Sequence, residues 1–159
     1  MLLVVLLAAG GLTQDSIRSA LKTVDIASGS IETVYTEQRH FEAPNWSRDG
    51  RFFLINSKGR LYKLDARHPN TLRPINTGFA TRANNDHGIS PDGKSLVISH
   101  ELTEDWQTST VFHLPIGGSK SPRRITTKSP SFWHGWSPDG KTLAFVGRRD
   151  DEFDIYTIP

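Results

Sequence analysis

The stretch "WSPDGKTLAFV" at residues 136–146 decides the fold, because two imperfect copies of it stand upstream. They are "WSRDGRFFLI" at 46–55 and "ISPDGKSLVI" at 89–98. The serines of the three copies are Ser47, Ser90 and Ser137. Their spacings of 43 and 47 residues suit a repeat in which each unit is one four-stranded blade of a β-propeller.

Each copy has the residues of a tight turn between two strands. Proline fixes φ for the second position of a type I turn, aspartate suits the next position, and glycine accepts the positive φ that reverses the chain. These turn residues are Asp49, Gly50, Pro91, Asp92, Gly93, Pro138, Asp139 and Gly140. Arg48 replaces the proline in the first copy. We interpret the motif as structural, with its serine capping the turn.

A second pattern follows each turn and indicates further strands. Segments with the order aliphatic, aromatic, polar, aliphatic occur at 61–64, 111–114 and 155–158, with a weaker copy at 21–24. Because they are nearly continuously apolar and rich in β-branched and aromatic residues, we expect buried strands. Another short strand is expected ten or eleven residues later, at 31–34, 72–75 and 123–126.

These elements predict an all-β chain that forms a partial β-propeller of about three four-stranded antiparallel blades. The expected order is the last two strands of one blade, blades at about 41–76 and 83–127, and an incomplete blade at 131–159. About three blades cannot close a ring, so open edge strands would remain. We therefore expect a fragment of a six- or seven-bladed ring, with the other blades supplied by a longer chain or by self-association.

Composition excludes several classes of function. The 159 residues contain no cysteine, so disulfides, thiolate chemistry and cysteine-bound zinc are excluded. The formal net charge of +2 is too small to indicate nucleic-acid binding. Among known catalytic patterns, the sequence has no nucleophile elbow, zinc-protease helix or phosphate-binding glycine loop, and we predict no catalytic residue.

The amino-terminal "MLLVVLLAAGGLTQDS" at residues 1–16 is the one segment that suggests targeting. Its apolar run ends in small residues, as in a signal peptide, and it is too short to span a membrane. No lysine or arginine precedes the run. We expect a signal peptide or disordered leader and a periplasmic or otherwise exported protein. The alternative is a buried strand in a cytoplasmic protein.

The third repeat, "SPDGKTLAFVGRRDDEFDIYTIP" at 137–159, resembles the repeat of TolB-like β-propellers, which is also described as WD-like or PD-type. The resemblance covers residues 17–159 and is carried by structural positions. It implies a cell-envelope propeller that serves as a binding platform. The resemblance begins near residue 17, so we expect no counterpart of the amino-terminal domain of TolB. Propellers of this kind also occur in peptidases and in metal-dependent sugar lyases.

Two histidines precede the turns of successive blades and are candidates for chemistry. His87 and His134 each lie three residues before the turn serine, and each is followed by glycine. Two imidazoles at the same height beside Asp86 could bind a divalent metal. Otherwise we expect no cofactor. The structural alternative is that each His-Gly pair packs against the neighbouring blade.

Other polar and aromatic residues are candidates for ligand contact. Asn84, Asn85 and Asp86 could bind sugar hydroxyls, with Trp133 as a stacking surface, although such residues are equally common in plain turns. Trp106, in a long loop, could anchor a partner protein or could pack onto its own blade. His100 and Glu101, at the end of a strand, are expected to be solvated.

Two functions from different classes remain open. The first is a non-enzymatic binding or scaffold propeller of the cell envelope that contacts a protein or a glycan. The second is the propeller part of a metal-dependent sugar lyase or hydrolase, or of a peptidase, with its ligand at the mouth of the central channel. Neither function requires nucleic acid or a membrane span.

Overall fold

The structure, a computed structural model, describes residues 17–159, so the predicted signal peptide or leader at 1–16 lies outside the described residues. The strands are β1 (Ser19–Val24), β2 (Ile31–Glu37), β3 (Glu42–Trp46), β4 (Phe52–Ser57), β5 (Arg60–Asp65), β6 (Leu72–Pro74), β7 (Ala83–Ile89), β8 (Ser95–Glu101), β9 (Ser109–Pro115), β10 (Arg123–Arg124), β11 (Ser131–Trp136), β12 (Leu143–Arg149) and β13 (Glu152–Ile158). The described helical structure is one 3-10 turn at Trp106–Thr108.

The strands form four antiparallel sheets that follow one another along the chain. Blade 1 is the pair β1–β2, and blade 2 has the order β3-β4-β5-β6. Blade 3 consists of β7, β8, β9 and β10 in the same arrangement, and blade 4 has the order β11-β12-β13. Each sheet is a meander of neighbouring hairpins. The prediction of an all-β partial propeller is confirmed.

The repeated turns, Ser-Arg-Asp-Gly in blade 2 and Ser-Pro-Asp-Gly in blades 3 and 4, join the first two strands of their blades. In the third blade Ser90 Oγ donates to Asp92 Oδ1 at 2.6 Å and accepts from the amide of Ser95 at 2.9 Å. The same carboxylate oxygen accepts from the Lys94 amide at 3.0 Å. The glycine has φ of 73°, which is a left-handed conformation that favours glycine. The other two turns repeat these bonds.

Apolar side chains fill the spaces between successive blades. Leu21 of blade 1 packs with Phe53 and Ile55 of blade 2. Blades 2 and 3 enclose the largest cluster, made of Leu54, Leu61, Ile75, Ala80, Leu96, Ile98, Phe112 and Leu114. Blades 3 and 4 share Val97, Val111, Leu143 and Phe145. Burial of these faces is the main stabilising contribution to such a stack of sheets.

The expectation that strand 155–158 is buried is wrong. Most of β13 is exposed, and Ile155 is 79% exposed. The reason is its position at the end of the stack: within residues 17–159, β13 pairs on one edge with β12, and no further sheet covers blade 4. The equivalent strands β5 and β9 lie inside complete sheets and bury their aliphatic residues.

Candidate functional site

The antiparallel meander gives the propeller two chemically different faces. The Ser-Pro-Asp-Gly turns lie at one end of the blades, which we call the turn face. Strands β3, β7 and β11 begin at the opposite end, where the hairpins β8–β9 and β12–β13 also lie. We call this end the loop face. Asn84, Asn85 and Asp86, near the start of β7, and Trp106 lie toward the loop face. His87, Trp133 and His134 lie further along their strands, toward the turns.

The first strand of each of blades 2, 3 and 4 pairs irregularly with the second strand. Register shifts interrupt the pairing between Glu42 and Asn45, between Ala83 and His87, and between Trp133 and Gly135. Such bulges free side chains from the alternation of a regular strand. They place Asn84, Asn85 and Asp86 in one irregular segment, and His134 in the next.

His87 is buried inside the stack of blades. It is 2% exposed, its Nδ1 lies 3.4 Å from the carbonyl oxygen of Asn84, and its Nε2 is a buried atom with no hydrogen-bond partner. Burial lowers the pKa of His87, and the nearby Glu42 opposes this shift. The ring is therefore neutral at pH 7 and lies close to blade 2.

His134 has a different environment from His87. It is exposed and falls in the bulge of β11, so it has no register partner on β12. Trp133 pairs with Phe145 in β12, the position that His87 takes opposite Ile98 in blade 3. The bulge therefore removes the equivalence between the two histidines that their sequence positions predicted.

The structure instead brings Asp86 close to His134. Burial raises the pKa of the half-buried Asp86, and the nearby His134 acts in the opposite direction. These two residues alone do not make a metal site. Among residues 17–159, no group of three or more histidine, aspartate or glutamate side chains is placed to hold a metal ion. A metal site here would need ligands beyond this set.

Trp133 closes the gap between blades 3 and 4. A Cβ atom on Gly88 would lie 2.6 Å from its Cζ3 atom, so the indole packs directly over the Gly88 backbone. The ring is half-buried among the residues shared by blades 3 and 4, and its Nε1 is buried without a partner. The glycine after His87 is thus explained by this packing.

Two residues that sequence reasoning missed hold the backbone at the starts of β7 and β11. Asn56 in β4 is 1% exposed, and its Nδ2 donates to the carbonyl oxygens of Ala83 at 2.9 Å and Asn84 at 2.8 Å. Ser99 in β8 accepts from the amide of Trp133 at 2.8 Å. Each side chain ties one blade to the next at the loop face. A polar residue inside an otherwise apolar strand was the available signal.

The prediction that His100 is solvated is wrong. His100 is 2% exposed, and its Nδ1 accepts from the amide of Arg82 at 3.3 Å. Its ring packs against Phe79 and Phe112 at centroid distances of 5.9 and 5.8 Å. The imidazole is buried because the loop before β7 folds over the end of β8, which the local sequence around His100 does not reveal.

Trp106 lies on the loop face in the 3-10 turn between β8 and β9. Its ring stacks on Phe132 and Phe153 of blade 4, each at a centroid distance of 6.3 Å and with interplanar angles of 26° and 25°. Trp106 remains 46% exposed and Phe153 53% exposed. We call these three side chains the Trp106 platform. It extends across two blades, so Trp106 does not pack onto its own blade alone.

The loop that carries Trp106 is well defined by its own hydrogen bonds. Asp105 caps the 3-10 turn by accepting from the amide of Gln107 at 2.9 Å. Thr108 Oγ1 accepts from the amide of Thr103 at 3.1 Å and donates to the carbonyl of Asp105 at 2.6 Å. These bonds fix the backbone of the loop that carries the indole, so little ordering of the loop is needed when it meets a partner.

Comparison with known proteins agrees with this architecture. No protein-family model matches the chain. An uncharacterised protein of Agrobacterium fabrum is 44% identical over 143 residues, which are 90% of this chain and 48% of that protein. A solved structure from Agrobacterium tumefaciens, provisionally named TolB, is 45% identical with a TM-score of 0.83, over 89% of this chain and 50% of that chain. The chain is thus similar to TolB-type β-propellers, in sequence and in fold, over about half of the length of these relatives.

The chain spans 48% and 50% of the lengths of these two relatives. TolB from Acinetobacter baumannii also superposes, with a TM-score of 0.70 over 87% of this chain and 34% of that chain. Its sequence identity of 21% shows the shared fold alone. Within residues 17–159, no helix is long and apolar enough to cross a membrane.

Proposed function

We propose that the chain is a non-enzymatic binding platform of the cell envelope, and that it contacts a partner protein through its loop face. The observation that carries this proposal is the Trp106 platform, a half-exposed aromatic stack held in place by a hydrogen-bonded loop. Exposed tryptophan on a rigid support is typical of residues that dominate binding energy at protein interfaces. The similarity to TolB propellers supports a role of this kind.

Site-specific photo-crosslinking tests the proposal. A photoreactive phenylalanine analogue is placed at Trp106 in the full chain and, as a control, at the exposed Lys141 on the turn face. We expect crosslinked protein adducts from position 106 and few from position 141. Equal adducts at the two positions, or none at position 106, would contradict a binding role for the loop face.

Export is part of the same proposal. The apolar run in residues 1–16 and the similarity to TolB propellers support a periplasmic location. Fractionation of cells that express the chain with a carboxyl-terminal tag tests it. We expect the protein in the osmotic-shock fraction, and a variant with charged residues in the apolar run to stay in the cytoplasm. Cytoplasmic recovery of the unaltered chain would contradict export.

A second candidate function places a divalent metal at the channel mouth, as part of a sugar lyase, hydrolase or peptidase. The observation that favours it is the buried Nε2 atom of His87, which has no partner and lies near Glu42. Metal analysis of the purified chain tests it, with His87→Ala compared with His68→Ala. Stoichiometric metal that only His87→Ala removes would support this candidate, and absence of metal from the unaltered chain would exclude it.

A further inference from the structure

The charges around the Trp106 platform are unlike those of the whole chain. Glu104 and Asp105 directly precede Trp106, and the turn between β12 and β13 contains Asp150 and Asp151, followed by Glu152. All five are exposed. The stacking of Trp106 on Phe153 brings these two acidic loops together on the loop face. A chain with a formal net charge of +2 thus has a locally acidic surface.

The arginines near this surface are engaged in internal contacts. Arg149 Nη1 and Nη2 donate to the carbonyl of Pro130 at 2.9 Å and to Ser131 Oγ at 2.8 Å, and Arg82 donates to the carbonyl oxygens of Glu101 and Leu102. Arg148 pairs with Asp151 at 3.1 Å. Within the described residues, no ion pair involves Glu104, Asp150 or Glu152.

We infer that the Trp106 platform and its acidic loops dock a basic segment of a partner protein, one that presents arginine or lysine. The indole face attracts a guanidinium or ammonium group through its quadrupole. Carboxylates beside the ring add charge complementarity, which raises the association rate and selects against acidic partners. This inference rests on the proposed function and specifies the chemistry of its partner.

The hydrogen-bonding groups beside the Trp106 platform favour a cation over a neutral sugar. A sugar needs an aromatic face together with hydrogen-bond donors and acceptors fixed at its edges. The side chains directly beside Trp106 and Phe153 in the sequence are mainly carboxylates, which only accept hydrogen bonds when ionised. Guanidinium and ammonium groups only donate, and guanidinium meets a carboxylate in paired geometry. The surface therefore matches arginine best.

Binding of defined peptides tests the inference on the full chain. The probes are a short labelled peptide of alternating arginine and glycine, and a matched peptide with glutamate in place of each arginine. We expect the arginine peptide to bind at least about tenfold more tightly at low salt, with the difference reduced at about 0.15 M salt, because exposed charges are screened. Equal binding of the two peptides would overturn the inference.

Two variants separate the aromatic contribution from the charges. Trp106→Ala removes the cation–π contact, and we expect about five- to tenfold weaker binding of the arginine peptide, with Trp106→Phe in between. The double variant Asp150→Asn, Asp151→Gly removes two charges, and we expect binding about threefold weaker at low salt. The matched control Glu32→Gln, on β2 of blade 1, removes one exposed charge far from the platform and should bind as the unaltered chain does.

The double variant Asp150→Asn, Asp151→Gly should fold normally, so a change in its binding can be attributed to the lost charges. Asp150 and Asp151 have φ of 51° and 66°, the left-handed values of a type I′ hairpin turn, for which Asn-Gly is the preferred sequence. We therefore expect its thermal midpoint to equal or exceed that of the unaltered chain, so weaker binding would not reflect a damaged hairpin. Unchanged binding of the arginine peptide by both this variant and Trp106→Ala would overturn the inference.

The outcomes also separate this inference from the proposed function. If Trp106→Ala abolishes binding of a cello-oligosaccharide while the arginine peptide shows no preference, the surface binds glycans and the inference is wrong. If crosslinks form at position 106 but neither peptide binds preferentially, the loop face contacts a protein of different chemistry. The proposed function would then stand, and the basic partner would be excluded.

Discussion

Gly88 shows how one missing side chain brings two blades into contact. It pairs with Val97 in β8, and the Trp133 ring of blade 4 lies over it. Gly135 is the equivalent residue one blade later, where an added Cβ would meet no atom within 4 Å. The same His-Gly dipeptide therefore has a packing role in blade 3 that is absent at the open side of blade 4.

Substitution of these two glycines by alanine measures that difference. Gly88→Ala forces the Trp133 ring to move, so we expect a loss of about 1–3 kcal/mol in the free energy of unfolding, as for overpacked cores. Gly135→Ala should change it by less than about 0.5 kcal/mol. Urea unfolding followed by tryptophan fluorescence measures both. Equal losses would mean that the indole has room to shift.

The two candidate histidines illustrate what a local pattern can and cannot predict. Both lie in the first strand of their blade, between the middle of the strand and the turn that follows it. Their side-chain environments differ because the bulge of β7 ends before His87, whereas the bulge of β11 includes His134 and moves Trp133 into the register position of His87. A bulge depends on contacts with the neighbouring blade, so the sequence of one strand does not specify it.

At the scale of elements, the Ser-Asp-Gly turns form identical hydrogen-bonded units on three blades. The serine hydroxyl donates to the aspartate and so holds the pKa of Asp49, Asp92 and Asp139 below the ordinary aspartate value. Backbone amides of the turn act in the same direction. In the first turn Arg51 Nε also lies 2.6 Å from Asp49 Oδ2 and lowers this pKa further.

These turns should make stability depend on pH in the acidic range. A carboxylate whose pKa is lower in the folded state stabilises the fold above its unfolded pKa of about 4, and this stabilisation is lost as pH falls through the folded value. We expect the free energy of unfolding to decline below about pH 4. In the triple variant Asp49→Asn, Asp92→Asn, Asp139→Asn, this decline should be shallower.

Urea unfolding between neutral pH and about pH 3 measures the effect. The matched control is Glu32→Gln, Glu104→Gln, Asp154→Asn, which removes three exposed carboxylates outside the turns. The control should keep the acid dependence of the unaltered chain. If the turn variant and the control decline with the same slope, the turn hydrogen bonds do not cause the pH dependence.

At the scale of the molecule, the repeat was enough to predict the blade architecture. Turn residues at fixed offsets, followed by apolar strands, specify each meander locally, so strand order follows from chain order. Exposure at the ends of the stack was harder to predict. β13 has the same pattern as β5 and β9, yet it is exposed because burial depends on a neighbouring sheet. The Trp106 platform likewise depends on contacts between blades.

Stability of the whole stack depends on polar links between blades as well as on apolar packing. Asn56 is the clearest of these links, because its buried amide donates to two carbonyl oxygens at the start of β7. These carbonyls flank the irregular segment that contains Asp86 and His87. The side chain thus couples blade 2 to the irregular start of β7 in blade 3.

Removing the Asn56 side chain should lower the stability of the fold and loosen the start of β7. Asn56→Ala leaves two backbone acceptors without their donor, so we expect a loss of about 2–3 kcal/mol in the free energy of unfolding. Asn56→Asp should cost more, since it sets a carboxylate against two carbonyl oxygens in a buried site. The exposed Asn70→Ala is the control and should change the free energy of unfolding by less than about 0.5 kcal/mol.

Hydrogen exchange locates the effect of Asn56→Ala within the molecule. Because Asn56 bonds the start of β7, the amides of β7 should lose protection before those of β12 do. Uniform loss of protection across the blades would show that Asn56 acts on global stability alone.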